Sequence, residues 1–157
     1  SWSSALESAT TVLVRLFRDR PLPHPMSHGD FIRWNLLPGP FAFDWEWAGP
    51  RLPWHDAFHF LWMPLFGRRH PISMASLWQV WFSVEGTGIR SGQPPVSDDR
   101  AYAVAYLAAQ FAFYASSSAK AGETISTNRF LQRIHRALTQ ATSDLESTSQ
   151  TEAPPYS

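Results

Sequence analysis

Cysteine is absent from this chain of 157 residues, which excludes disulfides and thiolate metal sites and fits a reducing compartment. Lysine is almost absent as well, Lys120 being the single one, and thirteen basic residues balance thirteen acidic ones. With no net charge, no global field draws the protein to nucleic acid or to anionic lipid, and a charged ligand has to be held locally. Long apolar runs are also lacking. The most apolar window, residues 101–115, is shorter than the roughly 20 residues of a spanning helix, and its small residues predict a buried helix instead. The opening SWSSALESATT has no basic region followed by an apolar one, so no secretory signal is read there and a cytoplasmic location is expected. There is no internal repeat.

What is present is apolar and aromatic. A hydrophobic content of 44%, with 15% aromatic residues, is enough for one domain with a real core. Ser4 and Glu7 form an S-x-x-E capping box, and Leu6, Ala9, Leu13, Leu16 and Phe17 follow at helical spacing, which predicts a first helix ended by Pro21. Asn35 to Leu37 and Phe41 to Asp44 are short apolar runs around Pro-Gly-Pro and read as two small strands and a turn. Asp56 can cap a helix through Phe58 and Leu61 that Pro64 kinks or ends. Met74, Leu77, Trp78, Trp81 and Phe82 make one helical stripe. A linker, SGQPPVSDD, leads to a helix starting near Ser97 that is apolar on nearly all sides and is expected to run through the core. The last helix turns Phe130, Leu131, Ile134, Leu138, Ala141 and Leu145 inward and Arg129, Arg133 and Arg136 to solvent. Residues 1–142 are therefore read as one domain, and 143–157, rich in Ser, Thr, Gln, Glu and Pro, as a disordered tail.

In so apolar a chain, the acids and amides between Ser27 and Gly49, SHGDFIRWNLLPGPFAFDWEWAG, stand out. Phosphoryl transfer needs a carboxylate that orients an attacking hydroxyl and accepts its proton, and hard oxygen ligands that hold magnesium against the phosphates. Asp30 supplies the first, Asn35 offers a neutral amide oxygen, and Asp44 an anionic one beyond a short strand. The pattern H-G-D-x-x-x-x-N, followed by a hydrophobic strand and D-W-E, resembles the catalytic and metal loops of the aminoglycoside phosphotransferase and choline kinase group. Protein kinases have H-R-D-x-x-x-x-N and D-F-G in the same places.

The resemblance implies an α+β, mainly helical domain: the C-terminal lobe of a kinase-like fold, whose small β-hairpin carries both loops. It implies Asp30 as catalytic base, Asn35 and Asp44 as Mg2+ ligands, ATP as co-substrate and a small-molecule hydroxyl as acceptor. His28 would support the catalytic loop. Asp56, in WHDAFHF, falls where such enzymes place an aspartate that buttresses that loop, and Glu46 would assist the metal through water if the strand persists. The nucleotide-binding N-terminal lobe has no counterpart before Ser1, which leads to the expectation of a C-terminal fragment, inactive by itself. The alternative is a noncatalytic pseudoenzyme or interaction domain without that lobe.

Other motifs carry plainer expectations. His55 and His59 share a helix face at metal-ligand spacing, but the glutamate of a zinc protease motif is missing, and Trp54, Phe58 and Phe60 around them weigh against metal binding. Arg68, Arg69 and His70 read as a solvated helix end. EGTGIRSG reads as a loop. Ser27, His28 and Asp30 do not make a hydrolase triad, because groups so close along the chain cannot converge on one proton path.

Overall fold

A computed structural model of the chain describes residues 2–39, 41–84, 99–124 and 126–151. The first helix, α1 (Trp2–Phe17), leads to a paired strand β1 (Met26–Ser27), then to a hairpin of β2 (Leu36–Leu37) and β3 (Phe41–Ala42), and to β4 (Gly49–Pro50). Four helices follow: α2 (His55–Phe66), α3 (Met74–Ser83), α4 (Asp99–Lys120) and α5 (Arg129–Thr151). The domain is thus α+β and mainly helical. Among the described residues no helix is long and apolar enough to cross a membrane.

The two small ladders are nested. β1 pairs antiparallel with β4, Met26 facing Pro50 and Ser27 facing Gly49, which closes the base of a long loop. Inside it β2 pairs with β3, Leu36 facing Ala42 and Leu37 facing Phe41. Strands this short are marginal in isolation, so the loop depends on what anchors it to the helices.

The helices pack in two groups. α1, α4 and α5 lie against one another, while α2 contacts α3, α4 and α5. Phe58, Trp62, Trp81, Leu107, Leu131, Ile134 and Leu138 are wholly buried. Phe58 packs, tilted, at 4.4 Å from both Trp62 and Trp81. The indoles are also satisfied as donors: Trp62 Nε1 donates to the Leu77 carbonyl at 3.0 Å and Trp81 Nε1 to Asp99 Oδ2 at 2.7 Å. These bonds tie α2 to α3 and α3 to the start of α4, and they remove the cost of burying an indole N–H.

Several expectations change in detail. α1 begins at Trp2, so Ser4 lies inside the helix rather than at its cap. Arg133 is not simply turned to solvent: it donates to the Phe66 carbonyl at 2.9 Å, which as the last of α2 has no partner within that helix, and to the Arg69 carbonyl just beyond at 3.0 Å. α4 is buried nearly all round only as far as Leu107; beyond it Phe113 emerges, which matters for the site. α5 continues to Thr151, so residues 143–151 of the segment expected as a tail are helical. Leu145 continues the buried stripe, and Arg100 of α4 donates to Thr148 Oγ1 at 2.9 Å. Thr142, Ser147 and Thr148 bond their hydroxyls to carbonyls one turn back, so these groups are satisfied within the helix. The expectations for SGQPPVSDD before Asp99, for EGTGIRSG and for 152–157 lie outside the described residues.

Candidate active site

The first turn of α2 anchors the loop after β1. The Asp56 carboxylate accepts the His28 backbone N–H at 2.7 Å and that of Gly29 at 3.1 Å. Burial pushes the Asp56 carboxyl up, but the neighbouring His55 ring and these two N–H groups outweigh it and hold the carboxyl below its ordinary value. Gly29 is required here. Its φ is +88°, and a Cβ would fall 2.3 Å from the Trp47 carbonyl oxygen.

His28, almost fully buried, ties this loop to the hairpin. Its Nε2 lies 2.7 Å from the Phe43 carbonyl oxygen, which can only accept, so the proton sits on Nε2. The ring packs 4.6 Å from Trp45. The hairpin is tied a second time, the Phe43 N–H donating to the Asn35 carbonyl at 3.0 Å.

Both carboxylate oxygens of Asp30 are held. Asn35 Nδ2 donates to Oδ2 at 3.1 Å and to the Asp30 carbonyl at 3.0 Å; His59 Nε2 lies 3.1 Å from Oδ1. His59 is drawn down from the ordinary histidine value of 6.5 to about 4, chiefly by burial and then by the charge of His55, against the opposing pull of Asp30. It is therefore neutral at pH 7. Its Nδ1 lies 3.3 Å from the hydroxyl of Tyr106, whose own ionisation burial displaces far upward. A neutral phenol donates to Nδ1, which places the imidazole proton on Nε2, aimed at Asp30.

A parallel arrangement lies one turn away. Gln110 Nε2 is 3.3 Å from His55 Nε2, and His55 Nδ1 is 3.6 Å from Asp56 Oδ1. The two histidine rings stack at 5.9 Å with 12° between their planes. Residues four apart on α4 thus meet residues four apart on α2, and those in turn face the two aspartates that define the loop. His55 and His59 are both buried, and their orientation toward the aspartates was missed from the sequence. The available signal was the shared spacing of four in His55/His59 and Tyr106/Gln110.

Asp44 and Glu46 are placed differently. Asp44 follows Phe43, whose carbonyl and N–H are bound to His28 and Asn35, and it is exposed, with left-handed φ of 67° and ψ of 56°. An aspartate tolerates that region better than most residues. The strand ends at Ala42, so Glu46 does not continue it; it lies in the 3-10 turn Trp45–Trp47 and is exposed. Among the described residues, no three His, Cys, Asp or Glu side chains gather as a metal cluster. The structure therefore joins Asp30 to Asn35 directly and to His28 and Asp56 through the loop backbone, with Asp44 one residue beyond a bonded position.

Asp30 opens onto a cavity of about 400 Å³, lined also by Arg51, His55, His59, Gln110 and Phe113. Asn35 and Asp44 do not line it. Comparison of the chain with protein-family models, with curated proteins and with solved structures finds no match.

Proposed function

We propose that this domain is the C-terminal lobe of a kinase-like phosphotransferase, which transfers the γ-phosphoryl group of ATP to a hydroxyl of a small molecule. The observation that carries the reading is the setting of Asp30: a half-exposed carboxylate, bonded on Oδ2 by Asn35 and facing the His59 N–H on Oδ1, at the edge of a small-molecule-sized cavity. Phosphoryl transfer is mostly positioning, and this carboxylate is positioned from two sides. Its oxygens keep further lone pairs, so Asp30 can accept the proton of an acceptor hydroxyl while both bonds persist.

By the resemblance, Asn35 and Asp44 would be the magnesium ligands. Asn35 commits Nδ2 to Asp30, which leaves Oδ1 as its acceptor, and Asp44 adds an exposed carboxylate. Both are hard oxygens of the kind that this ion takes. Magnesium bound there would neutralise charge on the phosphates of ATP. His28 and Asp56 hold the backbone that carries Asp30, and His59 keeps the carboxylate turned to the cavity.

One observation favours the noncatalytic alternative. Lys120, the chain's single lysine, ends α4 and is not among the residues around the cavity, so none of them is a lysine that could pair with nucleotide phosphates. The two readings separate in an ATP-dependent phosphorylation assay over a panel of small hydroxyl compounds, run on the longest natural form of the protein. Asp30→Asn should lower turnover by about 100- to 10,000-fold while circular dichroism stays native. Equal turnover in the variant, or none in either form, would refute Asp30 as a base.

A further inference from the structure

Besides Asp30 and the two histidines of α2, which face Asp56 and Asp30, the cavity is lined by one charged side chain, Arg51. Arg51 follows β4 and donates from Nη2 to the Trp47 carbonyl at 3.0 Å. Its Nε is buried without a hydrogen-bond partner, and among the described residues no carboxylate pairs with it. A guanidinium offers five N–H donors, and buried donors left unmade are costly. An unpaired cation with spare donors at the wall of a cavity is a site for an oxyanion.

Aromatic side chains supply another part of the wall, beside the polar His55, His59 and Gln110. Trp47 and Phe113 meet edge to face at 5.8 Å, and Tyr114 and Ala109 continue the surface along α4. Arg51, Asp30 and the aromatic rings that share this cavity define the occupant by its chemistry. We infer that the acceptor is a small hydroxylated compound with a flat apolar body and one carboxylate or phosphate group, which Arg51 binds. The hydroxyl end of this assignment rests on the phosphotransferase reading; the anion subsite does not. A polycation is excluded on the same grounds. Its charges would meet a guanidinium and a single carboxylate that already takes two N–H groups.

Binding of a charge series to the whole chain tests the inference without any variant. The probes are 3-(4-hydroxyphenyl)propionate, the neutral 3-(4-hydroxyphenyl)propanol and the cationic tyramine, measured by calorimetry. The anion should bind about tenfold more tightly than the neutral compound, with tyramine weakest. Equal affinities, or preference for tyramine, would overturn the inference. Arg51→Met should abolish the preference and Arg51→Lys should retain part of it. If Mg-ATP displaces the anionic probe competitively, the subsite belongs to nucleotide phosphate and the acceptor assignment fails; independent binding upholds it. Asp30→Asn separates the two readings. Charge selectivity with turnover indifferent to Asp30 sinks the phosphotransferase alone, whereas Asp30-dependent turnover without selectivity sinks the subsite alone.

Discussion

Replacing His59 by glutamine should flatten the acid dependence of stability. In the folded chain His59 takes up its proton only near pH 4, whereas an exposed histidine in the unfolded chain does so near 6.5. Between those values the unfolded state binds more protons, so stability rises with pH. The contribution is complete above about pH 6.5 and is lost as pH falls toward about 4. The gap corresponds to about 3 kcal/mol, a large share of the roughly 5–15 kcal/mol that holds most domains together. His59→Gln keeps an amide N–H for Asp30 and removes the titration. Urea unfolding of both chains from about pH 7.5 to about pH 4 should therefore show the parent losing about 3 kcal/mol more than the variant. His135, which burial also holds below its ordinary value, contributes equally to both chains and cancels. Parallel profiles would refute the buried, neutral His59 on which the orientation of Asp30 depends.

Asp56→Ala removes a carboxylate that accepts two backbone N–H groups; hydrogen bonds to charged groups are each worth about 1.5–3 kcal/mol. Thermal unfolding should show a loss of about 3 kcal/mol, and amide exchange at His28 and Gly29 should accelerate; unchanged exchange there would contradict the clamp. Because the Asp56 carboxyl is held below its ordinary value, its stabilisation is present above that value and lost as pH falls through the folded one, so parent and variant should converge in acid. Gly29→Ala puts a methyl group 2.3 Å from the Trp47 carbonyl oxygen on a backbone of positive φ, so it should cost at least about 2 kcal/mol and displace the loop. A variant as stable as its parent would show that the loop does not pass so close to Trp47.

Much of the fold was legible because its signals are local. Leu131, Ile134, Leu138, Ala141 and Leu145 recur at helical spacing and are buried in α5, and Met74, Leu77 and Trp81 do the same in α3. The hairpin was legible from Pro-Gly-Pro between two apolar runs. The helical state of 143–151 was not. Serine and threonine read as tail residues when each is scored for its intrinsic preference, but here Ala141 and Leu145 pack into the core and hold the segment in the helix. Glu46 was misplaced for a related reason: strand periodicity says nothing of where a strand stops, and a left-handed Asp44 intervenes.

By itself the sequence determined the elements, the apolar faces and the proximity of Asp30 to Asn35, since a loop of five residues leaves an amide few places to go. Only the tertiary structure decided what surrounds Asp30. His59 and Tyr106 lie 29 and 76 positions further along the chain; His59 reaches the carboxylate and Tyr106 reaches His59 because α2 and α4 pack face to face with matching spacing of four. Arg51 became a cavity wall in the same way, through β4 closing onto β1. Hydrogen bonds form between groups that packing brings within about 3 Å, and a linear pattern carries no record of which distant helix supplies the partner.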